Sequence, residues 1–243
     1  MEKHLENDLA YRQKNFDENY KYVLEKIEAA ANKVGKTKED IMLLAATKTV
    51  PVELINYAAD KGLTLMGENR VQEFLSKQEL LDEKLTRHFI GHLQKNKVKQ
   101  IVGKVSLIHS VDSLALAEEI SKRSLDIGIC SDILVEVNIA DEQSKSGVSK
   151  ENAENLIREI AKLEGVKVCG LMAIPPICQN DEEISQFFAQ MSKLYIDISH
   201  KNIDNINMIY LSMGMSSDFE QAILNGANII RVGSLLFGDR NYN

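Results

Sequence analysis

Cysteine is scarce. Cys130, Cys169 and Cys178 are the three in 243 residues, an odd number in no CxxC pattern and with no histidine nearby at zinc-ligand spacing. A disulfide framework and a zinc site are therefore not expected, and no metal ligand is assigned. Positive charge is also in deficit: 29 Lys and Arg stand against 36 Asp and Glu, a net charge of −7, which argues against nucleic acid or an anionic membrane as partner. The one basic run, QKNKVKQIVGK (94–104), carries Val98, Ile101 and Val102 at helical spacing, so its lysines are expected to line a solvated helix face. No apolar window approaches the length of a membrane span, and the N-terminus MEKHLENDLA lacks the apolar stretch of a signal peptide. Prolines are few, Pro51, Pro175 and Pro176, and no proline-rich linker, low-complexity segment or shift in composition divides the chain. These absences predict a soluble cytoplasmic protein with reduced thiols, folded as one domain over 1–243.

Hydrophobic residues make up 44% of the chain, enough for a sizeable core. Phe16, Tyr20, Val23, Ile27, Ala31 and Val34 recur on one face of a predicted helix over about 5–35, with Gly35 as its stop. Beyond it, short apolar runs alternate with amphipathic helices. The predicted strands are 42–48, 63–69, 87–92, 106–111, 133–138, 166–174, 208–214 and 229–234. A helix over 184–198 lies behind an acidic first turn at Asp181 to Glu183. Alternation of this kind implies parallel strands joined by right-handed crossovers. Eight units in this length fit a (β/α)8 TIM barrel with an extra N-terminal helix; an open doubly wound sheet is the alternative, because periodicity does not report closure.

Ligands of such barrels sit at the carboxyl ends of the strands. The residues closing the predicted strands are Lys48, Glu68 with Asn69, His92, Ser110, Asn138, Met172, Ser212 with Met213, and Arg231 with Gly233. Any one of them can be an ordinary loop starter; their convergence on one rim is what marks a site. Lys48, in LLAATKTVP, is either a snorkelling side chain or an amine whose charged form is disfavoured by an apolar surround, and so a nucleophile toward an aldehyde. In LSMGMSSDFEQAILNG (211–226), Ser217 and Glu220 have capping-box spacing, and Ser216 offers a hydroxyl at a helix start suited to an anion. Gly233 and Ser234 follow the last strand, where such barrels often bind phosphate. Arg231 must point into the barrel or under the helices and needs a partner either way. Pyridoxal 5'-phosphate (PLP) unites an aldehyde for Lys48 as a Schiff base, a phosphate for Ser216, Gly233 and Ser234, and a ring nitrogen for Arg231.

LAATKTVP, GENRVQEF, HFIGHLQKNK, IHSVDS, EVNIADEQSKSGV, GLMAIPP, LSMGMSSDFEQAI and IRVGSLLFGDR, in this order, resemble the pyridoxal phosphate homeostasis protein family over about 40–240. The resemblance implies a fold-type III PLP barrel similar to the N-terminal domain of alanine racemase. It implies covalent PLP at Lys48, phosphate contacts at Ser216, Gly233 and Ser234, Arg231 near the ring nitrogen, and Asn69 close to the cofactor. Three positions depart from the pattern: Arg87 where tryptophan is frequent, His92 where proline is, and Ser234 for threonine. Because the sequence stops at FGDRNYN after the eighth strand, no second domain is expected to close the site, and Tyr242 stands as a frayed terminal residue. The expected role is a monomeric carrier in PLP homeostasis that delivers the cofactor to PLP-dependent apoenzymes. A weak amino-acid racemase is the alternative, and a cofactor-free aldolase using Lys48 a third.

Overall fold

The strands are buried along most of their length, and successive side chains turn alternately into the barrel and under the helices. The computed structural model describes residues 2–142 and 145–238. Among them nine parallel strands occur: β1 (Met42–Ala46), β2 (Leu65–Glu68), β3 (Thr86–Phe89), β4 (Leu107–Val111), β5 (Ser131–Asn138), β6 (Val148–Ser149), β7 (Val166–Ala173), β8 (Ile206–Ser212) and β9 (Ile229–Val232). Their spatial order runs β4-β3-β2-β1-β9-β8-β7-β5, and β4 pairs with β5, so the barrel is closed; the open-sheet alternative is excluded. The two-residue β6, which the sequence did not reveal, only flanks β5 at Val137 and Asn138.

Inside the barrel lie Leu44, Leu65, Ile90, Leu107, Leu134, Cys169, Met172 and Ile229. The intervening residues, among them Ala45, Met66, Phe89, Ile108, Val135 and Ile230, pack outward under the helices in the larger core. At Gly170, with φ +150°, β7 shifts register against both neighbours. A Cβ there would lie 1.8 Å from the Tyr210 carbonyl oxygen, so the bulge admits only glycine.

Eight α-helices are described: α1 (Glu2–Lys33), α2 (Val52–Asp60), α3 (Val71–Lys77), α4 (Leu114–Asp126), α5 (Lys150–Ile160), α6 (Asp181–Ser199), α7 (Phe219–Leu224) and α8 (Ser234–Phe237). The long first helix packs on α2, α7 and α8. Phe16, Val23, Ile27 and Ala31 are buried as their spacing implied, but the helix ends at Lys33, leaving Val34 39% exposed before Gly35 turns at φ +72°. In α6 the predicted acidic start holds, with the Asn180 side chain capping it by accepting from Glu183 N at 2.9 Å.

The basic run forms a 3-10 helix over Lys95–Gln100, with Val98, Ile101 and Val102 buried and Lys95 and Lys99 exposed as anticipated. One local expectation fails. The capping box of Ser217 and Glu220 does not form. Asp218 Oδ1 accepts from Met215 N at 2.6 Å instead, and Glu220 reaches back to Lys26 of α1 at 3.4 Å. All three cysteines are free. Among the described residues no helix is long and apolar enough to cross a membrane, and no cluster of metal-ligating side chains occurs.

Candidate functional site

Inward parity carries past the strand ends. Along β1, Met42, Leu44 and Ala46 face the barrel interior, and Lys48 continues the series two residues on. Leu65, Gly67 and Asn69 do the same on β2, as do Ile229, Arg231 and Gly233 on β9. Lys48, Ala46, Gly233 and Ser234 line one cavity of about 300 Å³, walled on its far side by Tyr11 and Arg12 of α1. The helix thus stands over the strand ends and supplies a wall of the cavity.

The turn bearing Lys48 is held by a buried ionic cluster. Lys77, 8% exposed, spends its three N–H groups on Thr47 O (2.9 Å), Glu68 Oε1 (3.0 Å) and Glu73 Oε1 (2.6 Å). Thr47 Oγ1 also donates to Glu68 Oε1, at 2.7 Å, and Thr49 N donates to Glu73 Oε1. Thr49 adopts φ +64°, a conformation that a β-branched residue takes only when its surroundings impose it. Glu68 is fully buried, and desolvation raises its pKa against the opposing pull of Lys77 and Thr47.

At the neighbouring strand ends, Ser216 Oγ accepts from Gly233 N at 3.1 Å and from Leu235 N at 3.4 Å, joining the β8 and β9 loops. A Cβ at Gly233 would come 3.3 Å from Ala46, so glycine keeps this end of the cavity open. Asn69 follows β2, its Oδ1 buried with no partner. An amine, a cluster of hydroxyls and amides, and an open recess between them are the donor set that a phosphorylated aldehyde requires, so the residues present fit such a group.

Arg231 points inward and is 5% exposed. Its Nη1 donates to Ser212 O (2.9 Å) and Ser212 Oγ (2.7 Å), and its Nη2 to Ala173 O (2.9 Å). Burial lowers its pKa to about 10, with Glu136 and Asp218 acting in the other direction. From Ser212 the chain of contacts runs to His109 Nδ1 (3.0 Å) and from His109 Nε2 to His88 Nδ1 (3.0 Å). Burial depresses both histidines, His88 to about 4 and His109 well below its usual value, the latter helped by His88 and Arg231. Glu136 on β5 is pushed up to about 7 by burial and then by Asp112, with Arg231 opposing.

The strand-end residues therefore divide. Lys48, Gly233 and Ser234 share the cavity, with Ser216 bonded to its floor; Arg231 and Ser212 belong to the interior network. Asn138 exchanges hydrogen bonds with Glu142 and is an ordinary loop starter. Met172 and Met213 are core residues, and His92 is exposed. Lys77, His88 and His109 were not singled out from the sequence. The two histidines share parity with Ile90 and Leu107, which was the available signal. Tyr242 lies outside the described residues.

The model of the alanine racemase N-terminal domain family matches residues 14–241. The pyridoxal phosphate homeostasis protein of Aquifex aeolicus is 48% identical over 221 residues, covering 90% of this chain and 96% of that one. That of Escherichia coli K12 is 36% identical over 245 residues, covering 97% and 98%. The chain belongs to the pyridoxal phosphate homeostasis protein family.

Two solved structures extend the likeness. An unknown protein from Bifidobacterium adolescentis superposes with a TM-score of 0.90 at 34% identity, over 93% of this chain and 96% of that one. PipY of Synechococcus elongatus, solved with PLP bound, gives 0.77 at 32%, over 88% and 100%. An alanine racemase of Clostridium difficile, at 17% identity and a TM-score of 0.68, shares the barrel alone. Of the departures from the family pattern, Arg87 lies near the amino end of β3, where its Nη2 reaches Leu81 O at 3.5 Å; that is the end of the barrel away from the cavity. His92 faces Asp112 at 3.9 Å on the surface, and Ser234 keeps the hydroxyl that threonine would supply.

Proposed function

We propose that this chain is a single-domain PLP-binding protein of cofactor homeostasis, with Lys48 as the residue that carries the covalent link. The observation that carries this reading is the shared cavity, whose lining brings Lys48 together with Gly233 and Ser234. The relatives' names and the PLP held by PipY support it. Bound there, the cofactor supplies an electrophilic aldehyde carbon and, through its ring, an electron sink.

The chain's own residues divide the work. The Lys77 cluster fixes the turn from Thr47 to Thr49 and so aims the amine. The Ser216 and Ser234 hydroxyls and the loop at Gly233, whose amide fixes Ser216, would hold the phosphate. Asn69, with its unpartnered oxygen, would hold the cofactor from the end of β2. Arg231 would keep a positive charge beside the ring nitrogen and disfavour its protonation, which would weaken the electron sink. Delivery to PLP-dependent apoenzymes by a cytoplasmic monomer follows from that reading.

Titration of the protein with PLP, followed by its absorption band, tests the binding. Uptake of colour that is abolished in Lys48→Ala is expected; colour retained in that variant contradicts it. The alternative, a weak racemase, is tested by isomerisation of alanine and serine with PLP bound, and the carrier reading predicts no turnover above that of Lys48→Ala.

A further inference from the structure

Asp8, Tyr11, Arg12 and Asn15 occupy positions i, i+3, i+4 and i+7 of α1, one face of the helix, and all four line the Lys48 cavity. The helix is anchored just below. Phe16 is fully buried and stacks on Phe237 of α8 at 5.5 Å, while Asn19 Nδ2 donates to Leu236 O at 3.3 Å. This face is therefore held against the segment that carries Gly233 and Ser234. Arg12 is half-buried, and its guanidinium makes no hydrogen bond or ion pair among the described residues. A guanidinium does not deprotonate, and although Asp8 lines the same cavity it makes no ion pair with Arg12, so an anion there would meet an uncommitted positive charge.

The opposite wall has an unmet need of the complementary kind. Ser216 and Ser234 offer hydroxyls, while the Gly233 and Leu235 amides donate to Ser216 Oγ, and no cation stands among them. Arg231, the nearest arginine in sequence, is committed to Ser212 and Ala173 inside the barrel. A phosphate monoester carries close to two negative charges at neutral pH, and dipoles alone leave that charge uncompensated.

We propose that Arg12 is the counter-charge for the ligand's phosphate, so that the N-terminal turns of α1 form a phosphate-recognising wall. The proposal rests on the reading of the cavity as a PLP site and adds the residue that distinguishes phosphorylated from unphosphorylated ligand. Asp8, four residues earlier on the same face, discourages a second anion beside it. A carboxylate brought by an incoming amino acid is the competing partner for Arg12.

The test is equilibrium binding of PLP and of pyridoxal, which lacks the phosphate, to the full chain and its Arg12→Gln and Arg12→Lys variants, with thermal melting to verify folding. Arg12→Gln is expected to weaken PLP by about tenfold or more while leaving pyridoxal within about twofold, with Arg12→Lys in between. Inorganic phosphate should compete with pyridoxal in the wild type and less so in Arg12→Gln. Unchanged PLP affinity in Arg12→Gln, with the adduct still on Lys48, overturns the Arg12 assignment and leaves the cofactor reading intact. Equal losses for both ligands overturn it too. A wild-type chain that takes up no PLP defeats the cofactor reading itself, and Arg12 with it.

Discussion

Arg231 Nη1 donates to Ser212 Oγ at 2.7 Å, and that contact sets the hydrogens of two histidines. A guanidinium only donates, so the serine hydroxyl accepts from it and turns its one hydrogen toward His109 Nδ1, 3.0 Å away. His109 then carries its proton on Nε2 and donates to His88 Nδ1, which leaves the His88 proton on Nε2 as well. Nitrogen-15 NMR of the two rings should show both as neutral Nε2–H tautomers at pH 7.

Ser212→Ala breaks that chain at its hinge. The buried His109 Nδ1 loses its donor while Arg231 keeps Ser212 O, so a loss of about 1–3 kcal/mol is expected by urea denaturation. The histidine resonances should change tautomer or broaden. A variant as stable as the wild type with both rings unaltered contradicts the relay.

Lys77→Met strands Glu68, which is fully buried. Removing one partner of a buried pair costs about 3–5 kcal/mol, and the Lys77→Met/Glu68→Gln double variant should recover a large part of that loss. The Thr47 carbonyl also loses its donor, so PLP uptake should slow in the single variant even where it folds. Additive losses in the double variant would show that the two side chains do not act as a pair.

Acid and base act in opposite directions on two interior groups. His88, held neutral by burial and titrating near 4, binds its proton more readily when unfolded, so stability is lost as pH falls from 6.5 toward 4, by up to about 3 kcal/mol. Glu136, pushed up to about 7, binds its proton more readily when folded, so stability is lost as pH rises from 4.5 to about 7. Glu136→Gln removes the second slope. Relative to wild type it should gain about 2–3 kcal/mol at pH 8 and little at pH 4.5. A pH-independent difference would place Glu136 in a more polar surround than the barrel interior.

Much of the site was legible because strand parity is local. Lys48 closes the apolar run from Met42, and Arg231 and Gly233 close the run from Ile229, so their shared parity with the interior residues followed once the strands were placed. Closure was not legible, since it depends on β4 meeting β5. Nor was the burial of Lys77: its place in α3 looks solvated, and its partners Thr47 and Glu68 come from the ends of other strands. Ser217 and Glu220 had the spacing of a capping box, but the helix starts one residue later, with Asp218 as its N-cap, and Glu220 turns to Lys26. The helix of α1 was evident from its period, whereas the element its polar N-terminal face would meet was set only by the docking of Phe16 on Phe237.

The most direct measurement is borohydride reduction of the PLP-treated protein, followed by intact mass spectrometry and peptide mapping. A single reduced adduct on the peptide containing Lys48, absent in Lys48→Ala, is predicted. An unmodified chain, or an adduct on another lysine such as Lys77, contradicts the account.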